Sequence, residues 1–181
     1  CISSAASDVY KRQIADHWKS LDLKFDAVAT GYLGSFEQIK IVSDFFDKFK
    51  TDDNLIIVDP VMGDKGHFYA GFTEDFALEM KKLCSKADVI VPNLTEAAQL
   101  LDEDYIDSGY DEEYIKNLLI RLSNLGSKIV VLTGVSFDDN SQGVMSYNRE
   151  TGEFSSYFNE NIPGYFHSTC LLYTSDAADD M

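Results

Sequence analysis

Leu55-Ile56-Ile57-Val58 is a run of branched aliphatic side chains that ends on Asp59-Pro60. Val61-Met62-Gly63-Asp64-Lys65-Gly66 follows as a glycine-punctuated loop. An apolar run of this length, halted by a proline that cannot donate to a ladder, describes a short buried strand. Asp59 then falls at the strand's carboxyl end, the edge where open α/β sheets bind ligands. A strand ending in an ordinary turn would read the same way, so the neighbouring segments decide what this one means.

Strand and helix signals alternate along the chain. Ile14–Leu21 reads as the end of a helix, and Phe25–Thr30 as a strand closed by Gly31-Tyr32-Leu33-Gly34. Ser35 is placed to cap a helix over Phe36–Lys50, where Ile39, Val42, Phe45, Phe46 and Phe49 recur at helical spacing. Asn54–Val58 is the next strand, and Gly63–Gly71 a loop. Thr73 is placed to cap a helix reaching Cys84, with Phe76, Met80 and Leu83 inward. Ala87–Val91 is a strand broken by Pro92-Asn93, and Leu94–Leu101 is helical. The acidic segment Asp102–Glu113 reads as a solvated connector to a helix over Glu112–Leu125, ended by Gly126. Lys128–Leu132 is a further strand, stopped by Thr133-Gly134. Gly143–Tyr147 and Glu153–Phe158 read as paired strands around Arg149–Gly152. This alternation predicts an α/β fold with a mainly parallel central sheet flanked by helices. The late strand pair predicts an antiparallel edge.

The 181 residues suffice for one core. A net charge of −16 argues against nucleic acid as a partner, because backbone phosphates need a basic face. It does not exclude a nucleotide, which Mg²⁺ and local amides can recognise. No apolar run approaches the roughly 20 residues of a membrane span, so no membrane partner is expected. Cysteines at 1, 84 and 170 show neither metal-ligand spacing nor a disulfide framework, and point to a reduced, cytoplasmic setting.

Both ends read as something other than native protein. One DNA stretch can encode Ser3–Gln13 while its opposite strand, one base out of frame, encodes Cys170–Asp179 in order. Residues 1–13 and 170–181 are therefore expected to be tails derived from a sequencing adapter, around a partial domain at 14–169.

Polar signals recur at the carboxyl ends of the predicted strands: Thr30-Gly31-Tyr32, Asp59, Pro92-Asn93 with Glu96, and Thr133-Gly134. In a parallel sheet they would line one edge. Asp59 and Glu96 offer carboxylate oxygen to Mg²⁺, directly or through water. Asn93 offers an amide to phosphate or metal-bound water, Thr133 a hydroxyl, and Gly134 close backbone approach. Gly63-Asp64-Lys65-Gly66 has the hinge chemistry of a mobile lid. Each signal also has a plain structural reading. Asn93 or Thr95 can cap the next helix, Glu96 can favour its positive first turn, and Gly134 can simply turn the chain. Their recurrence at successive strand ends favours a site. His17, His67 and His167 are scattered without metal or triad spacing, and the chain carries neither a nucleophile elbow nor a Walker loop.

The string Asp59-Pro60-Val61-Met62-Gly63-Asp64-Lys65-Gly66, then Ala87-Asp88-Val89-Ile90-Val91-Pro92-Asn93-Leu94-Thr95-Glu96-Ala97, then Val130-Val131-Leu132-Thr133-Gly134, resembles the pyridoxal/pyridoxamine kinases of the ribokinase-like superfamily. Asp16-His17-Trp18 and Gly31-Tyr32-Leu33-Gly34-Ser35 are similar to that family too, and the resemblance covers essentially 14–169. Hydroxymethylpyrimidine kinases share the Asp-Pro-Val-Met and Pro-Asn-Leu-x-Glu elements. The segments at 63–66 and 31–35 favour the pyridoxal branch.

The resemblance implies transfer of the ATP γ-phosphate to the 5′-hydroxyl of a B6 vitamer, with Mg²⁺, and a homodimeric parent protein. It implies that Asp59 and Asp64 lie near the ATP phosphates and the cation. Asn93 and Glu96 would organise Mg²⁺, with Val91 close to the phosphates. Thr133, with Gly134, would contact nucleotide, Tyr32 would lie towards the substrate, and Gly63–Ala70 would form part of a flap. Positioning and charge neutralisation dominate phosphoryl transfer.

One family element lacks a full counterpart. The family's Gly-Thr-Gly-Asp leads into a phosphate-cradling helix N-terminus and supplies the base for the substrate hydroxyl. Here Phe166-His167-Ser168-Thr169 reaches that point with Ser168 for the first glycine, and Cys170 follows. The chain as written is thus expected to hold no catalytic base and to show little or no kinase activity. Two other readings stand beside this one: a hydroxymethylpyrimidine/phosphomethylpyrimidine kinase, and a non-catalytic nucleotide-binding module on the same sheet.

Overall fold

A computed structural model of the chain describes residues 4–161. Its elements are α1 (Ser4–Ser20), β1 (Ala27–Thr30), α2 (Phe36–Phe49), β2 (Leu55–Val58), β3 (Gly63–Asp64), β4 (His67–Phe68), α3 (Glu74–Cys84), β5 (Val89–Ile90), α4 (Leu94–Leu101), α5 (Glu112–Ser123), β6 (Ile129–Asp138), β7 (Ser141–Asn148) and β8 (Glu153–Glu160). Six strands make one sheet in the order β1-β2-β5-β6-β7-β8. The first four run parallel, and β7 and β8 add antiparallel. The expected α/β architecture is therefore present, with its antiparallel edge.

Helix starts fall where short polar side chains can serve the open backbone donors of a first turn. Ser35 accepts from the Gln38 amide, Thr73 from Phe76, Asn93 from Glu96 and Asp111 from Tyr114. Phe46 of α2, Met80 and Leu83 of α3, Leu100 of α4 and Leu119 and Leu122 of α5 join Ile56, Val58, Ile90, Val130 and Leu132 of the sheet in one buried core. Each such side chain contributes about 1.5–3 kcal/mol by leaving water.

A buried carboxylate closes the sheet's amino-terminal side. Asp88 accepts the Ile56 amide at 2.8 Å and pairs with Lys50, while Lys128 stands 3.8 Å away. Burial alone would raise its pKa. The hydrogen bonds from Lys50 and the Ile56 amide, with the charges of Lys50 and Lys128, outweigh burial and hold the group below the usual carboxylate range.

Two expectations need correction. The strand predicted to stop at Thr133-Gly134 continues as β6 to Asp138. Gly134 sits at φ +72° between two register positions, so the strand absorbs an irregularity there and stays paired with β7. The predicted loop at 63–71 contains the hairpin β3–β4. Its turn residues Lys65 and Gly66 both have positive φ, 50° and 78°, the geometry of a two-residue hairpin turn. Asp111, exposed at the end of the solvated connector, caps α5, which begins at Glu112 as expected. Helix α1 runs unbroken across the boundary expected between 13 and 14. The segment 166–181, on which the expectations about the missing base and the second tail fall, lies outside the described residues. No helix among the described residues is long and apolar enough to cross a membrane.

Candidate active site

The sheet ladder continues past the strand ends and draws the predicted polar positions together. The Asp59 amide donates to the Thr30 carbonyl at 2.9 Å, Val91 to Val58 at 3.0 Å, and Thr133 to Pro92 at 2.9 Å. Asn93 also bridges Thr133 in parallel fashion. Thr30, Asp59, Asn93 and Thr133 thus stand in that order along one carboxyl edge, because the strands carrying them are consecutive in the sheet.

At the centre of this edge α4 begins with a reciprocal cap. Asn93 Oδ1 accepts the Glu96 amide at 2.9 Å, and Glu96 Oε2 accepts the Asn93 amide at 2.9 Å. The expected capping roles are therefore real, and the same side chains do more. Glu96 Oε1 accepts the Met62 amide at 3.1 Å, and Asn93 Nδ2 donates to the Gly63 carbonyl at 2.9 Å. Thr95 Oγ1 accepts the Gly66 amide at 2.9 Å. Three side chains in the first turn of α4 thereby hold the β3–β4 hairpin.

The carboxylates at this edge are under electrostatic pressure. Glu96 is only 3% exposed. Burial pushes its pKa up, the amides of Asn93, Met62 and Gly63 pull it down, and the Asp59 charge pushes it up again, leaving it at about 8. Asp59 is half-buried, and burial raises it to about 6. Among the described residues no donor is hydrogen-bonded to the Asp59 carboxylate. Thr30 Oγ1 is likewise shielded from solvent without a partner among the described residues.

The other predicted site residues are less gathered. Val91 is half-buried with its amide in the ladder. Thr133 Oγ1 reaches the Pro92 carbonyl at 3.4 Å. Gly134 leaves space, since a Cβ there would meet Gln142 Nε2 at 3.6 Å, an ordinary contact. Asp64 is exposed on the hairpin, where its Oδ1 accepts the Lys65 amide at 2.9 Å. Burial and then Asp107 raise the Tyr105 phenol, and the charge of Asp64 adds a smaller push. Tyr32 is 65% exposed and packs edge-on against Phe72 with ring centres 5.7 Å apart.

A chain with this fold and edge has clear relatives. The family described as phosphomethylpyrimidine kinase matches residues 2–178. The chain belongs to the phosphomethylpyrimidine kinase family. Among its curated relatives is the thiamine biosynthetic bifunctional enzyme TH1, chloroplastic, of Arabidopsis thaliana, 31% identical over 137 residues, which cover 74% of this chain and 25% of that enzyme. A solved Bacteroides thetaiotaomicron protein assigned to the phosphomethylpyrimidine kinases, crystallised with pyridoxal, is 41% identical with a TM-score of 0.83, over 90% of this chain and 57% of that one. Pyridoxal kinase from Lactobacillus plantarum is 29% identical with a TM-score of 0.76, over 88% of this chain and 55% of that one. The chain thus spans a quarter of the Arabidopsis enzyme and a little over half of the two solved proteins.

Within this phosphomethylpyrimidine kinase family chain, Met62 and Thr95 at the edge, and Tyr105 against Gly66 of the hairpin, are not among the predicted site residues. The Met62 contribution is a backbone amide, which side-chain chemistry does not announce. Thr95 carried a signal as a possible cap, but Asn93 caps α4 and leaves the Thr95 hydroxyl to the hairpin. Tyr105 lay inside the acidic connector, where charge masked it.

Proposed function

We propose that the protein to which this chain belongs is an ATP-dependent kinase acting on the 5′-hydroxyl of a B6 vitamer. Asp59, Asn93, Glu96 and Thr133 form the nucleotide edge of that enzyme. The observation that carries the reading is the Asp59–Glu96 pair. Buried Glu96, with each oxygen accepting a backbone amide, and half-buried Asp59, with no donor among the described residues and a charge that raises Glu96, form an edge that a hard divalent cation would satisfy. Mg²⁺ would be held by Asp59 and Glu96, and when bound would supply neutralisation of phosphate charge. The chain's own residues then bind and orient. The N-terminus of α4 favours negative charge. Asn93 and Glu96 lock its first turn, and the hairpin stands over the edge.

The vitamer assignment draws support from the relatives. The Bacteroides thetaiotaomicron protein was solved with pyridoxal, and the Lactobacillus plantarum protein is a pyridoxal kinase. Tyr32, largely exposed and propped by Phe72, offers a flat face to a heteroaromatic ring. The Arabidopsis thiamine enzyme supports the other reading, a kinase of hydroxymethylpyrimidine. Calorimetric titration of the chain with Mg²⁺–AMP-PNP, pyridoxal and hydroxymethylpyrimidine tests both points. Nucleotide binding that needs Mg²⁺, with pyridoxal bound more tightly than the pyrimidine, is expected. Tighter pyrimidine binding would overturn the vitamer assignment, and nucleotide binding indifferent to Asp59→Ala would overturn the edge.

A further inference from the structure

Thr95 is the second residue of α4's first turn and has no capping duty, yet its side chain is 2% exposed and its hydroxyl is hydrogen-bonded. A valine would fill the same volume, so packing alone does not call for the oxygen. The hydroxyl accepts the amide of Gly66, the second residue of the hairpin turn, at 2.9 Å. Tyr105 closes on the same residue. A Cβ at Gly66 would stand 2.7 Å from the Tyr105 ring, so the ring lies in contact with bare backbone. The Tyr105 hydroxyl donates to Asp107 Oδ1 at 2.9 Å, which fixes the ring within its connector.

We propose that Thr95 and Tyr105 are positioning residues that together latch the 63–68 hairpin over the Asp59–Glu96 edge, Thr95 through the Gly66 amide and Tyr105 through its ring against the Gly66 backbone. The hairpin carries Asp64 and Lys65, so the latch sets where both stand. Asn93 and Glu96 hold the hairpin's near strand through Gly63 and Met62, and Thr95 and Tyr105 hold its tip. Release of the tip alone would let the turn lift while the near strand stays seated. The consequence for nucleotide rests on the kinase reading given above.

Amide hydrogen exchange in the full 181-residue chain reads the latch directly. Thr95→Val should speed exchange of the Gly66 amide about 2- to 10-fold, the effect of losing one hydrogen bond. The Val91 and Thr133 amides should be unchanged, and Thr95→Ser should restore protection. Tyr105→Ala should also speed Gly66 exchange, while Tyr105→Phe should not. Affinity for Mg²⁺–AMP-PNP should fall about 3- to 10-fold in Thr95→Val and Tyr105→Ala and recover in the two conservative variants. Unchanged Gly66 exchange in both variants overturns the latch. Faster exchange with unaltered nucleotide affinity overturns its positioning role. A wild-type chain that binds no nucleotide would count against the kinase reading instead, and the Gly66 exchange would then decide the latch on its own.

Discussion

Asn93 donates its side-chain amide to the Gly63 carbonyl at 2.9 Å while its Oδ1 caps α4 through the Glu96 amide. One side chain therefore joins the start of a helix to the start of the hairpin packed beside it. Asn93→Ala removes both bonds and should destabilise the chain by about 1–2 kcal/mol in urea unfolding. Asn93→Ser keeps a capping oxygen but cannot reach Gly63, so its loss should be about half as large. Equal losses in the two variants would mean that the Gly63 bond adds nothing.

The Asp59–Glu96 pair should give stability an unusual dependence on pH and Mg²⁺. Both groups are raised in the folded chain, Glu96 to about 8 and Asp59 to about 6. A raised carboxyl favours folding below its unfolded pKa, and that benefit fades as pH climbs through the folded value. Without Mg²⁺ the melting temperature should fall between pH 5 and pH 8.5. Mg²⁺ should raise it more at pH 8.5 than at pH 5, because the charged pair is then the species present. Thermal melts at the two pH values, with and without Mg²⁺, check this; Asp59→Asn should remove most of the Mg²⁺ effect. A Mg²⁺ response equal at both pH values would count against the pair as its site.

How much of this was legible depended on whether the cause was local. The caps Ser35 and Thr73 and the apolar spacing of α2 and α3 are properties of neighbouring residues, and they fell where the sequence placed them. The four strand-end clusters became one edge because parallel order follows from strand–helix alternation. The hairpin at 63–68 escaped because strands of two residues show no alternation to read. Strand β6 ran past Gly134 because its partner β7 keeps it extended, whereas Thr133-Gly134 alone reads as a stop. The Lys50–Asp88 pair is 38 residues apart in sequence and became visible only when β2 and β5 were side by side.

That pair carries its own prediction. Asp88 is 7% exposed, accepts the Ile56 amide and balances Lys50. Asp88→Ala leaves the buried Ile56 amide without its acceptor, while Lys50, a third exposed, keeps the Asn54 carbonyl, and should cost about 1–3 kcal/mol. The wild-type group sits below the usual carboxylate range, so its contribution is present at neutral pH and disappears as pH falls through the folded pKa. Urea midpoints across pH 7 to pH 2 should show a steep acid loss in wild type and a shallower one in Asp88→Asn. Parallel acid limbs would assign the loss to other carboxylates.

Binding and turnover should separate in this chain. The family resemblance calls for a Gly-Thr-Gly-Asp whose carboxylate takes the proton of the substrate hydroxyl, and Ser168-Thr169-Cys170 stands at that point instead. The placement of Asp59, Asn93, Glu96 and Thr133 is set by the sheet and by the first turn of α4, so on the proposed kinase reading Mg²⁺–nucleotide binding does not depend on that carboxylate. The chain should therefore bind Mg²⁺–AMP-PNP yet form no pyridoxal phosphate from ATP and pyridoxal above the uncatalysed background. Replacing Ser168, Cys170 and Leu171 by Gly, Gly and Asp should leave nucleotide affinity within about twofold and raise turnover by about 10²-fold or more, the usual contribution of a positioned base. A coupled assay of ADP release, run beside absorbance of the phosphorylated aldehyde, measures both chains. Robust turnover by the chain as written would show that phosphoryl transfer here does not depend on that carboxylate.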